Sequence, residues 1–231
     1  MTGLSLLAML AVCGFGSYLI VTDEQRGRQA SAAVPRPTAL PKDISSRAAD
    51  PAPLTVAEVY PSNSIVISPA EPGYRLLRTQ ASDDCAVATS GGVADLLRGL
   101  GCSQVVRGTL KSPNGRYLVT AGVFNLPDAA AADRAHAALK ALVDSGKGRF
   151  TGLAAGKGTE PVALSSAQVG WHVRGHFLVY CVIARADRTE IRNGDPYARQ
   201  ILFDIIELHL RNGVLERRAF VPAEGPTGSH P

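Results

Sequence analysis

The sequence predicts an α+β domain, a mainly antiparallel sheet with helices packed on it, behind an N-terminal transmembrane helix. Three features point there: an uncharged apolar run at the start, a Pro/Ala-rich stretch after it, and three successive blocks in which two β-rich segments precede one of helical periodicity. The expected boundaries are an anchor over residues 1–25, a spacer over 26–62, the α+β domain over 63–221 and a disordered tail over 222–231.

Every residue from Gly3 to Val21 is uncharged and almost all are apolar, enough for a helix of about 28 Å, close to the thickness of a bilayer core. A cleavable leader would show a basic start, a shorter apolar core and small residues before the cut, and none of these is clear. Cys13 follows Val12 where a lipid-attachment motif needs a small residue, so it reads as an apolar membrane residue. Arg26 and Arg28 favour an inward-facing domain by the positive-inside rule. Asp23, Glu24 and the spacer favour the outside, and the abruptness of the start leaves room for basic residues upstream. The expectation is a single-pass protein whose domain faces the extracellular side.

Residues 26–62 carry Pro35, Pro37, Pro41, Pro51, Pro53 and Pro61 among Ala, Ser and Arg, without a sustained period of 2 or 3.6. Proline removes donors and restrains the backbone toward extended forms, so this segment is expected as a semi-stiff spacer with no core of its own.

The first block comprises short apolar runs at Ile65–Ser68 and Tyr74–Thr79, then Val93, Leu96, Leu97 and Leu100 at helical spacing up to Gly101. The second has β-rich segments at Gln104–Leu110 and Tyr117–Phe124, joined through the hairpin signal Pro113-Asn114-Gly115, then a helix capped by Asp128 and ending near Gly146. In the third, strands at Val169–Val173 and His176–Arg185 flank Arg174-Gly175. A helix opened by Asp195-Pro196 follows, closed by Asn212-Gly213, with Ile201, Ile205 and Leu208 on its buried face. Each helix has one apolar stripe and needs a surface to cover, hence three successive ββα units on one sheet. Their order repeats; their residues do not.

The 24 basic and 20 acidic residues give a net charge of +4, and the 19 arginines are scattered instead of forming one stripe, so no nucleic acid is expected as partner. Cys85, Cys102 and Cys181 fall in the domain, and an oxidising compartment permits one disulfide. One helix over 86–99 would hold Cys85 and Cys102 about 22 Å apart, against the roughly 5.5 Å that a bridge needs. A break at Gly91-Gly92 would restore the pair, and both outcomes stay open. Cys181 alternates with Phe177, Val179 and Ile183 and reads as core.

His172 and His176 have the spacing of a helical metal pair but flank a hairpin turn. A two-residue loop at Arg174-Gly175 would set Val173 opposite His176 and His172 opposite Phe177, with the imidazoles on opposite faces, so no metal is expected. Gly152–Gly158 (GLAAGKG) has too short a spacing for a phosphate loop and glycine where the magnesium-binding hydroxyl belongs. No cofactor is therefore expected. Asp187, Glu190 and Asp195, interleaved with Arg188 and Arg192, could supply acid and base to a hydrolase with His172, or form a solvated loop with Asp195 as helix cap. Trp171, Tyr180 and Tyr197 are the aromatic residues best suited to a ligand or partner surface, or to the core.

The stretches DDCAVATSGGVADLLRGLGCSQVVRGTL and GRYLVTAGVFNLPDAAAADRA, between Asp83 and Ala135, and RGHFLVYCVIARAD, at Arg174–Asp187, resemble uncharacterised single-pass membrane proteins of actinobacteria. The resemblance spans most of the domain and implies location and fold; it brings no catalytic residue with it. The leading functional expectation is a noncatalytic, membrane-tethered extracytoplasmic module that binds an envelope protein or a small ligand. The alternatives are an envelope hydrolase working through residues 187–195 and an inactive scaffold subunit of a membrane complex.

Overall fold

The computed structural model describes residues 40–164 and 168–221. The expected anchor, residues 26–39 of the spacer and the tail lie outside the described residues. No helix among the described residues is long and apolar enough to cross a membrane.

One six-stranded antiparallel sheet organises residues 41–221. Its strands are β1 (Ser64–Ile65), β2 (Tyr74–Ser82), β4 (Gln104–Lys111), β5 (Tyr117–Asn125), β7 (Gln168–Arg174) and β8 (Phe177–Arg185), in the order β1-β2-β4-β5-β8-β7. A separate pair joins β3 (Thr89–Gly91) to β6 (Gly148–Phe150). The helices are α1 (Val56–Val59), α2 (Gly92–Gly99), α3 (Ala129–Asp144) and α4 (Pro196–Leu202), the last running on through Phe203–Leu215 in π-helical form. Each ββα block supplies two strands to the sheet. The third block enters reversed, its second strand β8 beside β5 and its first strand β7 at the edge.

The alternation of side chains along a strand divides the core in two. Val119, Ala121 and Val123 of β5, with Phe177, Val179, Cys181 and Ile183 of β8, face the long C-terminal helix and the segment leading into α1. Leu118 and Phe124, with Leu178, Tyr180 and Val182, face α2, α3 and β6. Strands covered on both faces read as continuous apolar runs, and β5 is buried along its whole length.

Residues 41–62, expected as spacer, belong to the folded unit. Ile44, Leu54, Val59 and Tyr60 are buried in the first core, and Thr55 caps α1 by accepting from Glu58 N–H at 3.1 Å. Prolines at 41, 51, 53 and 61 stay exposed while the apolar residues between them turn inward. The segment lacks a sustained period because buried side chains and isolated backbone bonds to distant segments, such as Lys42 N–H to Ala219 O and Arg47 N–H to Pro127 O, hold most of it, with one short helix at Val56–Val59. Burying residues such as Leu54 and Val59 contributes about 1.5–3 kcal/mol each. Tyr60 reaches deepest: its hydroxyl donates to Ala121 O at 2.6 Å, and its ring occupies the space above Gly108, where a Cβ would lie 2.8 Å from the ring.

Three further expectations need correction. The hairpin after β7 pairs Arg174 with Phe177, so its loop is Gly175-His176 and His172 lies opposite Val179. His176 is fully buried, its ring centroid 3.8 Å from that of Phe177. The C-terminal helix does not stop at Asn212-Gly213 but continues to Arg218. Its wider turn moves the buried face to Ile201, Ile205, Ile206, Leu210, Val214 and Leu215, at intervals of four to five residues, and leaves Leu208 half-buried.

The stretch between the cysteines is not one helix. A 3-10 turn at Cys85–Ala88 leads into β3, and only at Gly92 does α2 begin. Gly91, at φ +58°, makes the bend in a conformation that disfavours side chains. The chain doubles back enough for Cys85 and Cys102 to be bonded, with Cα atoms 6.3 Å apart.

Candidate ligand cleft

A cleft of about 270 Å³ opens where the loop before β2, the Ser112–Gly115 turn and the first two turns of the C-terminal helix meet. Each wall has a local reason for its position. Pro196 opens α4, and Asp195 caps it by accepting from Tyr197 N–H at 2.9 Å and Ala198 N–H at 3.1 Å. Tyr117 OH donates to the other Asp195 oxygen at 2.9 Å, fixing the helix start against the sheet. Burial would raise the Asp195 carboxyl, but these hydrogen bonds outweigh it and hold the group below the usual range. Tyr197 is thereby placed on the cleft's rim, 57% exposed.

The turn wall is closed by Gly115 N–H donating to Ser112 O at 2.8 Å, and by Tyr117 N–H donating to Ser112 Oγ at 3.0 Å. Tyr74, opposite Ile65 in the sheet, sends its hydroxyl across to Asp204 Oδ2 at 2.6 Å. Gln200, one turn earlier in the helix, donates Nε2 to Asp204 Oδ1 at 2.7 Å. Tyr74 and Asp204 are 4% and 8% exposed. Burial, followed by its bond to Asp204 and that group's charge, pushes the Tyr74 hydroxyl far above its ordinary value, so it remains a donor.

The electrostatic character of the cleft is one-sided. Asp204 and Glu71 line it, and among the described residues no Lys, Arg or His does. Among the described residues neither carboxylate has a cation within ion-pair distance. Each Asp204 oxygen accepts one hydrogen bond and keeps capacity for another. Ile67, Pro72, Pro113 and Ile201 add apolar surface, and Ser68, Ser112 and Asn114 add neutral polar groups. Such a site can accept hydrogen bonds and positive charge.

Of the three aromatic candidates, only Tyr197 lines this cleft. Trp171 and Tyr180 are register partners on the opposite face of the sheet, where Phe150 lies 5.9 Å from Trp171 and 5.1 Å from Tyr180 between ring centroids. Tyr180 is fully buried, and that burial pushes its hydroxyl up to about 12. Trp171 is half-buried and borders a shallow groove with His136 and Lys140.

None of the proposed hydrolase residues lines this cleft. Asp187 accepts from Arg185 at 3.0 and 3.2 Å and from Thr189, and these bonds hold its carboxyl far below the usual range. Glu190 is exposed, Asp195 is occupied as a cap, and His172 sits on β7 with its ring 5.6 Å from that of His136. Among the described residues no group of three His, Cys, Asp or Glu is arranged to hold a metal ion.

Sequence reasoning missed Tyr74, Gln200 and Asp204. The available signal was Asp204 itself, a charged residue inside the apolar stripe Ile201, Ile205 and Ile206, with Gln200 one turn before it. Comparison with protein-family models, curated proteins and solved structures returned no match.

Proposed function

We propose that the chain is a noncatalytic, membrane-tethered extracytoplasmic binding module, and that the cleft at Asp204 is its ligand site. One observation carries the site: a buried carboxylate, oriented by Tyr74 and Gln200, faces an open cavity with no cation beside it among the described residues. The apolar run Gly3–Val21 supports the tether, and the Cys85–Cys102 bridge supports an oxidising compartment. The resemblance to actinobacterial single-pass proteins fits the same placement.

Two experiments test this. An impermeant maleimide should label a Ser45→Cys variant in intact cells; labelling only after lysis would place the domain inside. Ser45 is exposed, so its reactivity reports access alone. Purified chain should bind components of envelope extracts or a small-molecule library at the cleft while showing no turnover in hydrolase panels, and robust turnover would sink the noncatalytic reading.

A further inference from the structure

We propose that the cleft takes a compact organic cation, its ammonium held by Asp204 with Glu71 at the mouth, and its body lying against Pro72, Pro113 and Ile201. The inference rests on the reading of the cleft as a ligand site and adds the chemical class of the occupant.

Charge selects against the main alternatives. An anion would meet two carboxylates and none of the Lys, Arg or His side chains that bind phosphate or carboxylate. A bare divalent cation needs about six oxygen ligands at 2.0–2.6 Å, and no group of three metal-binding side chains is gathered among the described residues. A neutral ligand would leave the Asp204 charge uncompensated while removing it further from water. An ammonium supplies the missing charge and up to three donors, matching the acceptor capacity left on Asp204.

Shape agrees with charge. The volume, about 270 Å³, lies at the small end of ligand pockets and suits a compact molecule. The apolar part of the lining, at Ile67, Pro72, Pro113 and Ile201, suits a short aliphatic or aromatic body. Tyr197, exposed at the rim, offers a ring face that attracts cations. Tyr74 and Gln200 hold the carboxylate in one orientation before any ligand arrives, which reduces the ordering that binding requires.

The test is isothermal titration of the full chain in detergent with tyramine, putrescine and choline, alongside tyrosol and 4-hydroxyphenylacetate as neutral and anionic counterparts of tyramine. At least one amine should bind saturably, and Asp204→Asn should weaken it about ten-fold or more, as expected for loss of a charged hydrogen bond. Glu71→Gln and Tyr197→Ala should each weaken it about three-fold, and both positions are exposed, so these variants keep the fold. If Asp204→Asn does not fold, Glu71→Gln decides, and unchanged amine affinity there overturns the proposal. Tyrosol or 4-hydroxyphenylacetate binding as tightly as tyramine, with loss in Tyr197→Ala, would overturn the cationic class and leave the cleft as a ligand site. Failure of all five compounds to bind would overturn the proposal, and the ligand-site reading would then rest on the wider library.

Discussion

Arg218 grips Asp50 across 168 residues of chain, Nε to Oδ2 at 2.5 Å, with both side chains almost wholly buried. Lys42 donates to the same carboxylate at 2.5 Å, and Arg218 reaches on to Glu58 at 2.7 Å. Burial would raise the Asp50 carboxyl, but the bonds from Arg218 and Lys42 outweigh it and keep the group below its ordinary value. Removing Arg218 leaves the buried Asp50 carboxylate with Lys42 as its one remaining ion-pair partner among the described residues and frees its Oδ2 of the Arg218 bond. Arg218→Ala should therefore destabilise by about 3–5 kcal/mol, whereas Arg218→Met combined with Asp50→Leu should recover most of that loss. Urea unfolding followed by fluorescence of Trp171 measures both.

Acid should loosen the same side of the molecule. His209 lies beside Tyr60, and burial, aided by Arg217, lowers its imidazole from 6.5 to about 4 despite a backbone hydrogen bond at Val59. His176 is also lowered, chiefly by burial and further by Arg218 and Arg47, against the pull of Asp50 and the Ile44 backbone. Because both folded values lie below the unfolded one, the unfolded chain takes up protons first as pH falls. Stability is full above about pH 6.5 and declines toward pH 4, by at most about 1.4 kcal/mol per pH unit for each proton. His209→Gln should flatten that decline in denaturation curves recorded between those limits, and an unchanged slope would count against the assignment.

The Cys85–Cys102 bridge closes a loop with a sequence separation of 17. Replacing both cysteines by serine should cost about 3 kcal/mol, seen as a lower melting temperature. Cys181 is fully buried on β8, and burial pushes its thiol far above the usual value. It should stay unreactive to a thiol reagent in the native protein and react once the chain is unfolded.

Gly108→Ala should be among the more harmful methyl additions. The new Cβ would meet the Tyr60 ring at 2.8 Å, and Tyr60 is held by its bond to Ala121 O. Overpacking of this kind costs about 1–3 kcal/mol. Tyr60→Leu in the same chain should restore part of it, which a double-mutant cycle in urea would reveal.

The sheet was legible because its signals are local. Pro113-Asn114-Gly115 marks a turn, Asp128 and Asp195 mark helix starts, and the alternation around Cys181 marks a strand. The N-terminal segment was not, because Leu54 and Tyr60 bury through contacts with strands far along the chain, and nothing in a proline-rich stretch of no fixed period announces such contacts. The C-terminal helix was read at 3.6 residues per turn, and its π-helical winding moved both its end and its buried face. The cleft escaped for the same reason. Tyr74 and Asp204 are 130 residues apart, and only the folded sheet brings them together.

The attachment of residues 42–60 to Arg218 also fixes an order of events during synthesis. Lys42, Asp50 and Tyr60 leave the ribosome well before Arg218 and before Ala219, whose carbonyl accepts from Lys42 N–H at 2.8 Å. The second core, built from residues 85–184, can assemble while the chain is still growing. The first core must wait, with Ile44, Leu54 and Tyr60 uncovered until the helix begun at Pro196 arrives to pack on them.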